Sequence, residues 1–359
     1  MTNPHYYGLI MAGGRGTRFW PKSRKRHAKQ VLRFTGDRSL IQQTVDRLAP
    51  LIPPERIWIL TSEALRSEIA RQLPEVPKGQ ILAEPAQRNT APCIGLTAQI
   101  LNSLDPDAVM GVFPADHVIA KPARFLRLAR AAFRQAARGG IVVLGVQPRW
   151  AETGYGYIEF PKNANPGSLA AVPVLRFREK PDAATAEKFV AAGNFYWNAG
   201  MFFWKASTLL EALRAHQPKT ATILASLPPV NSRNFGAALR RGFPLCENIS
   251  IDYAVLEKAR GVLGFPGDDF GWNDVGSWNA AYELLPRDAH GNVLRSPTIA
   301  RNVSGAYVDA GPKLVALIGV RDLVVVDTPD ALLIADRGQT QTVGEIVKLI
   351  EKQKREDLL

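Results

Sequence analysis

Cysteine is scarce in this chain: two residues in 359, Cys93 and Cys246, with no CxxC pair. That excludes a disulfide framework and a thiolate metal site of the usual spacing, and both thiols are expected in the core. Histidine numbers five and forms no HExxH or comparable pairing, so His117 reads as structural rather than as a ligand. No apolar run approaches the roughly 18 residues a membrane-spanning helix needs, so no membrane partner is expected. The first residues hold no basic stretch followed by an apolar one, and a cleaved secretory leader is not expected. A cytoplasmic protein is the default. Hydrophobic residues at 46% and charged residues at 22% are ordinary for a globular chain, and the length suggests roughly two domains.

Acidic residues are also in short supply, 33 against 45 Lys and Arg, for a net charge of +12. The excess is uneven. Between Arg15 and Arg38 nine basic residues face a single acid, Asp37. So dense a positive segment implies an anionic partner: nucleotide, sugar phosphate or nucleic acid. The run Ser23 to Lys29 lacks interleaved stacking aromatics, which argues against nucleic acid. Arg24, Lys25, Arg26 and Arg38 read as a solvated basic face.

Tyr6 to Ala12 is a short apolar run ending in glycines, as a buried parallel strand would be. Similar runs recur at 57–61, 108–113 and 141–146. Helix-like stretches at 39–48, 63–72, 91–104 and 123–138 lie between them, so the first 150 residues read as repeated βα units around an open, mostly parallel sheet. Ligands in such sheets bind beyond the carboxyl ends of the strands. Strand-like pieces at 155–160 and 172–178 and helices at 183–192 and 205–216 complete this part and wall a cleft. Past Pro286 five short β-branched runs, spaced by Gly, Pro, Asp and Asn, form a small all-β unit. Val343, Ile346, Val347 and Ile350 then mark the apolar face of a final helix that packs back on the body. The expected division is 1–286 for a catalytic domain, 287–342 for the β unit and 343–359 for the helix.

The first strand runs into Gly13-Gly14-Arg15-Gly16-Thr17-Arg18, where missing side chains let backbone N–H groups approach phosphate oxygens. Phe19 replaces the third glycine of the dinucleotide fingerprint, and the Walker pattern is absent. Gly13 to Pro21, with Ser23-Arg24 and Lys29-Gln30, resembles the signature loop of the sugar-1-phosphate nucleotidylyltransferases. Six further blocks extend the resemblance in order: 84–92 (Glu84 to Pro92), Pro114-Ala115-Asp116-His117, Glu179-Lys180-Pro181, 198–202, 250–254 and 272–278. The form Arg88-Asn89-Thr90-Ala91-Pro92 is similar to the guanine-selecting branch that uses mannose 1-phosphate.

The resemblance implies a Rossmann-like, GT-A-like α/β nucleotidyltransferase domain with a mixed, mostly parallel sheet, followed by a short left-handed β-helix that mediates a homodimer. It implies GTP and mannose 1-phosphate as substrates, GDP-mannose and pyrophosphate as products, and Mg²⁺ as cofactor. The alternative is transfer to another hexose or heptose 1-phosphate, or from another nucleoside triphosphate. Both substrates are polyanions, and unit charges 4 Å apart repel by roughly 4 kcal/mol at an effective dielectric of 20, so cations must be supplied. Arg15, Arg18 and Lys29 suit the triphosphate and the departing pyrophosphate. Asp116 follows a strand at the ligand-binding edge and reads either as a helix cap or as a ligand. Asp274 offers a second carboxylate. Mg²⁺ takes one or two protein carboxylates plus substrate oxygens, which this sparse pair suits.

By resemblance, Arg18, Lys29 and Lys180 are catalytic, and Asp116 and Asp274 hold the metal. Ala12, Gly13, Gly14, Arg15, Gly16, Thr17, Glu84, Arg88, Asn89 and Thr90 bind the nucleotide, although Asn89 or Thr90 also reads as a plain helix cap. Asp116, Gly154, Tyr155, Gly156, Glu179, Asn198 and Gly200 bind the sugar. Relatives have Pro-Lys-Gln where this chain has Ala28-Lys29-Gln30, a change expected to loosen the presentation of Lys29. Some relatives carry a fused isomerase domain after the β unit, and no isomerase activity is expected here.

Overall fold

The computed structural model describes residues 3–359. Its central sheet uses, in chain order, β1 (Tyr6–Ala12), β2 (Ile57–Ser62), β3 (Ile81–Glu84) and β4 (Val109–Pro114). A two-residue strand β5 (Val118–Ile119) precedes β6 (Val142–Val146), β7 (Tyr157–Glu159), β8 (Val172–Pro173), β9 (Arg176–Arg178), β10 (Phe195–Lys205) and β11 (Leu263–Pro266). The sheet order is β3-β2-β1-β4-β10-β6-β11-β8, with β7 bridging β10 and β9. Strands β1 to β4 are mutually parallel, and β10 runs antiparallel between β4 and β6.

Alternation along β1 sends Leu9 to one face and Ile10 to the other, and each enters a separate core. Ile10 joins Ile59, Phe113 and Phe203; Leu9 joins Leu60, Met110 and Trp204. Burial on both faces is why these strands read as continuous apolar runs. The helices expected at 39–48, 63–72, 91–104 and 123–138 form at Leu40–Leu48, Glu63–Gln72, Thr90–Leu104 and Pro122–Ala136.

Three expectations need correction. The strand at 155–160 is shortened to Tyr157–Glu159, which leaves Gly154 to Gly156 as a turn. The run 172–178 is two short strands interrupted at Val174-Leu175. No strand was expected over the eleven-residue β10, although Phe195 to Trp197 and Met201 to Trp204 are apolar, aromatic-rich runs; Asn198 and Gly200 divide them, and the register against β6 shifts between Asn198 and Phe202, with Gly200 at φ 66°.

After a last short strand of the first unit, β12 (Trp272–Asn273), the β unit follows: β13 (Val293–Leu294), β14 (Thr298–Arg301), β15 (Tyr307–Asp309), β16 (Val315–Ile318), β17 (Leu323–Asp327) and β18 (Leu332–Asp336). Parallel pairs β13–β15–β17 and β14–β16 stack alternate strands into coils, and β18 closes antiparallel on β17. The final helix, Val343–Lys352, buries Val343, Val347 and Ile350 but leaves Ile346 exposed, so its apolar stripe is narrower than expected.

A third core joins distant parts of the chain. Phe19, Trp20 and Phe34 beside the glycine turn pack with Trp278, with Tyr307 of the β unit and with Val347 and Ile350 of the final helix. Phe19 meets Phe34 and Trp278 edge-on at centroid distances of 4.8 and 5.0 Å. The charge reading is corrected here too. Arg15 meets Glu351 at 2.7 Å, Lys22 meets Asp309 at 2.6 Å, Arg24 meets Asp330 at 3.0 Å, and Lys25 pairs with Glu356. For these four cations an anionic partner is the C-terminal part of this same chain. Of the four cations read as a solvated face, Lys25, Arg26 and Arg38 are exposed, Lys25 and Arg38 in surface ion pairs with Glu356 and Asp46, whereas the Arg24 side chain is mostly withdrawn from solvent.

Candidate active site

The turn after β1 is held open from behind. Gln30 donates its side-chain amide to the carbonyls of Ala12 and Gly14 at 2.6 and 3.1 Å, and Ser23 Oγ donates to that of Gly16 at 2.6 Å. In a trans peptide a carbonyl drawn inward points the attached N–H the other way, so the amides of Gly13, Arg15 and Thr17 turn outward. Gly16 has φ 60°, and a Cβ there would lie 2.4 Å from that of Lys29. Only glycine allows this approach, and it fixes Lys29 directly under the turn. Ala28 is buried with φ −75°, within the range a proline would impose, so the backbone before Lys29 takes the course a proline would also give it.

Outside the turn lies a cavity of about 650 Å³ lined by residues 13–17, Glu84 and residues 87–90. Burial pushes the Glu84 carboxyl up to about 7, against a hydrogen bond from Cys93. Arg88 lines the cavity while its Nε donates to the Pro244 carbonyl at 2.8 Å. Asn89 occupies the N-cap position at φ 63° and its Oδ1 accepts from the Thr90 amide at 2.9 Å. Thr90 Oγ1 accepts from the Ile251 amide at 2.8 Å, tying the cavity wall to the far side of the cleft.

Two acids far apart in sequence are brought together by a minimal ribbon. Strand β12 pairs antiparallel with β5, Trp272 opposite Ile119 and Asn273 opposite Val118, so the next step of the register sets Asp274 beside His117 and Asp116. Lys29 Nζ donates to Asp116 Oδ2 at 2.8 Å and also to the main-chain carbonyl of Asp274. Burial works to raise the Asp116 pKa, but the Lys29 charge and its hydrogen bond outweigh it and hold the carboxyl below the ordinary range. His117 is pushed by burial to about 4, and its Nδ1 accepts from the Trp272 indole at 3.1 Å. A neutral, internally bonded imidazole matches the structural role expected of it.

Val275 has φ 48°, an outlier for a β-branched residue, and Asn273 Oδ1 accepts from its amide at 2.7 Å. Tyr155 donates to Asp274 Oδ1 at 2.6 Å, and its ring stands edge-on to Trp197 and Trp272. Burial, then the Asp274 charge, raises the Tyr155 phenol far above its ordinary value, so it stays a donor. Arg18 shares a second cavity, about 540 Å³, with Gly154, Tyr155 and Asp274, and its guanidinium donates to Gln341 at 2.6 Å.

Whether this pair fits a divalent cation can be judged from its donors. Both side chains offer hard oxygen, and the missing side chain of Gly276 leaves open the space against Asp274 Oδ2, where a Cβ would lie at 2.9 Å. Among the described residues no cluster of three or more His, Cys, Asp or Glu is placed to hold a metal. The pair offers the oxygen donors a hard divalent cation takes, and it does not form a closed protein cage.

A second cluster gathers Gly156, Glu179, Asn198 and Asp252. A Cβ on Gly156 would sit 2.4 Å from Glu179 Oε2, and that buried oxygen has no hydrogen-bond partner. Burial, then the neighbouring Asp252 charge, lifts the Glu179 carboxyl to about 7. Asn198 Nδ2 donates to Asp252 at 3.0 Å, while its Oδ1 accepts from the Gly200 amide at 3.0 Å. Lys180, at φ 43°, sets its ammonium 3.6 Å from Glu179. One unpaired buried carboxylate oxygen and the Lys180 ammonium beside it suit a ligand with hydroxyl donors and a negative charge.

Sequence reasoning missed Gln30 and Asp252 as site residues. Asp252 opens a π-helical turn, Asp252–Leu256, a distortion that no residue pattern announces. Gln30 had a signal, its place beside Lys29 in the resemblance, but its task of turning carbonyls inward is visible only in three dimensions.

Comparison with known proteins identifies the family. A family model described as nucleotidyl transferase matches residues 7–290, and one described as the MannoseP isomerase/GMP-like beta-helix domain matches residues 299–350. The chain is 38% identical over 366 residues to the mannose-1-phosphate guanylyltransferase of Escherichia coli K12, covering 99% of this chain and 76% of that one. It is 38% identical over 362 residues to the alginate biosynthesis protein AlgA of Pseudomonas aeruginosa, covering 97% and 73%. A crystal structure described as mannose-1-phosphate geranyltransferase from Thermus thermophilus is similar at a TM-score of 0.85 and 33% identity, covering 97% of this chain and 99% of that one.

Proposed function

The chain belongs to the nucleotidyl transferase family, among the mannose-1-phosphate guanylyltransferases, and from that premise we propose that it transfers the guanylyl group of GTP to α-D-mannose 1-phosphate, releasing pyrophosphate. A phosphate oxygen of the sugar phosphate attacks the α-phosphorus in line, the bond to the β-phosphate oxygen breaks, and GDP-mannose is formed. The sugar phosphate is itself the nucleophile. Nothing is asked of Cys93 or Cys246, both buried, or of neutral His117.

The observation that carries the reading is the Lys29 ammonium shared by Asp116 and Asp274 beside the glycine turn. Catalysis is then positioning plus charge compensation. The turn amides, Arg15 and Arg18 hold the triphosphate, and Glu84 and residues 88–90 surround the base. Gly156, Glu179 and Asn198 take the sugar hydroxyls, and Lys180 meets the sugar's phosphate. Asp116 and Asp274 would hold a Mg²⁺, which when bound supplies positive charge to the phosphate oxygens.

We place the enzyme in the cytoplasm, where nucleoside triphosphates are at hand; no helix among the described residues is long and apolar enough to cross a membrane. A homodimer formed through the β unit is part of the proposal. Its support is the apolar surface presented there by Ile299, Leu314, Ile318, Leu332 and Ile334, each more than half exposed. The test of function is pyrophosphate release across a panel of four nucleoside triphosphates and several hexose and heptose 1-phosphates. GTP with mannose 1-phosphate should give the highest kcat/KM; a different best pair would overturn the substrate assignment.

A further inference from the structure

Arg15 serves two places at once. It belongs to the glycine turn and lines the 650 Å³ cavity, yet its Nη2 donates to Glu351 of the final helix at 2.7 Å. Both side chains are a little over one-third exposed, 38% and 37%, so water screens the pair and holds it weakly. The rest of the helix is anchored without it. Val343, Val347 and Ile350 are buried in the core they share with Phe19 and Trp20, and the Trp20 indole donates to the Leu358 carbonyl at 3.0 Å. Lys25 pairs with Glu356, and Arg24 with Asp330, in the same frame. A fixed helix therefore presents one carboxylate to a cavity-lining guanidinium through a contact weak enough to be given up.

We propose that Glu351 is a built-in counter-ion for Arg15, exchanged for the nucleoside triphosphate when the nucleotide binds. The inference rests on the reading that the glycine turn takes a triphosphate. A polyphosphate offers Arg15 more negative charge than one exposed carboxylate held through a single Nη2 to Oε1 contact, so the exchange runs toward phosphate. While Arg15 is unliganded, Glu351 keeps it from wandering in solvent and sets it at the cavity rim. The exchange weakens nucleotide binding by the strength of the contact given up. Glu351 is thus a positioning residue that sets nucleotide affinity from outside the reacting centre, and it ties the phosphate site to the C-terminal segment.

The test compares GTP binding at equilibrium, and the KM and kcat of pyrophosphate release, in the parent and in Glu351→Gln, Glu356→Gln, Arg15→Gln and the Arg15→Gln/Glu351→Gln pair. Glu351→Gln should lower both the dissociation constant and the KM for GTP by about two- to five-fold, with kcat unchanged, and the gain should shrink in high salt. Glu356→Gln, which removes a neighbouring ion pair of the same segment without touching Arg15, should leave GTP affinity unchanged. In the Arg15→Gln background Glu351→Gln should have no effect. An unchanged or raised KM in Glu351→Gln overturns the inference, as does an equal gain in Glu356→Gln. A parent that binds no GTP overturns the inference together with the functional reading, whereas normal parental binding with no effect of Glu351→Gln sinks the inference alone.

Discussion

Lys29 joins Asp116 to Asp274: one ammonium donates to the carboxylate of the first at 2.8 Å and to the main-chain carbonyl of the second. The two aspartates are 158 positions apart in the numbering, and the pairing of β12 with β5 brings both to the same lysine. Lys29 is itself placed by the glycine turn. The glycine turn, the lysine and the two acids thus form one mechanical unit.

That unit predicts the outcome of changing Gly16. Alanine would have to adopt φ near 60° and would bring its Cβ to 2.4 Å from that of Lys29. Strain and displacement together should cost about 1–3 kcal/mol of stability. Because a shift of about 1 Å in a positioning group can cost on the order of a hundred-fold in rate, kcat/KM should fall by at least about ten-fold. Thermal unfolding and steady-state rates measure both; activity within two-fold of the parent would show that Lys29 is not seated by the turn.

Glu179 gives the reaction a pH dependence. Its carboxyl is pushed up to about 7 by burial and the nearby Asp252, and under the proposed function it accepts from sugar hydroxyls as a carboxylate. The KM for mannose 1-phosphate should therefore fall as pH rises from 6 to 8. Glu179→Gln should flatten that trend, while the ionisation of the sugar phosphate affects both proteins alike. Asp252→Asn removes a charge that raises Glu179, so its profile should move toward acid. Identical profiles for parent and Glu179→Gln would remove the carboxylate from the sugar site.

The same shift acts on stability with a defined sign. Between its ordinary value of 4.5 and about 7, folded Glu179 keeps a proton that the unfolded chain has released, so stability falls as pH rises through that window. In Glu179→Gln the fall should be shallower, as read from denaturant midpoints at pH 5, 6, 7 and 8. A slope identical to the parent's would contradict the raised value.

The β unit predicts an association. Ile299 and Ile318 lie on the adjacent parallel strands β14 and β16 and are 63% and 74% exposed. Replacing both with Asp should convert a sedimenting dimer into a monomer while leaving the unfolding temperature within a few degrees. A parent that sediments as a monomer at micromolar concentration would set aside the dimer.

What could be read from the sequence followed physical regularities. Buried parallel strands show as apolar runs, and the helix Glu63–Gln72 shows by its period, so the βα half of the fold was legible. Glycines after β1 marked the tight turn that lines the cavity. The antiparallel β10 was not expected; the polar Asn198 and the bulge at Gly200 divide its two apolar, aromatic-rich runs. Net charge was legible and its destination was not. Arg24 and Lys25 read as solvated in sequence but pair with Asp330 and Glu356 some 300 residues on, a pairing that only tertiary contacts create. The fit of Asp116 to Asp274 likewise depends on a two-residue ribbon too short to leave a pattern.

The central claim is that Asp116 and Asp274 share one divalent cation beside the glycine turn, and Mn²⁺ binding tests it most directly. Electron paramagnetic resonance titration of Mn²⁺, in the presence of a non-hydrolysable GTP analogue, should count one tightly held ion per parent chain above the analogue's own binding. Asp116→Asn and Asp274→Asn should each lose it, with turnover lowered on the order of a hundred-fold and the fold retained. Undiminished Mn²⁺ binding in both single variants would contradict the account.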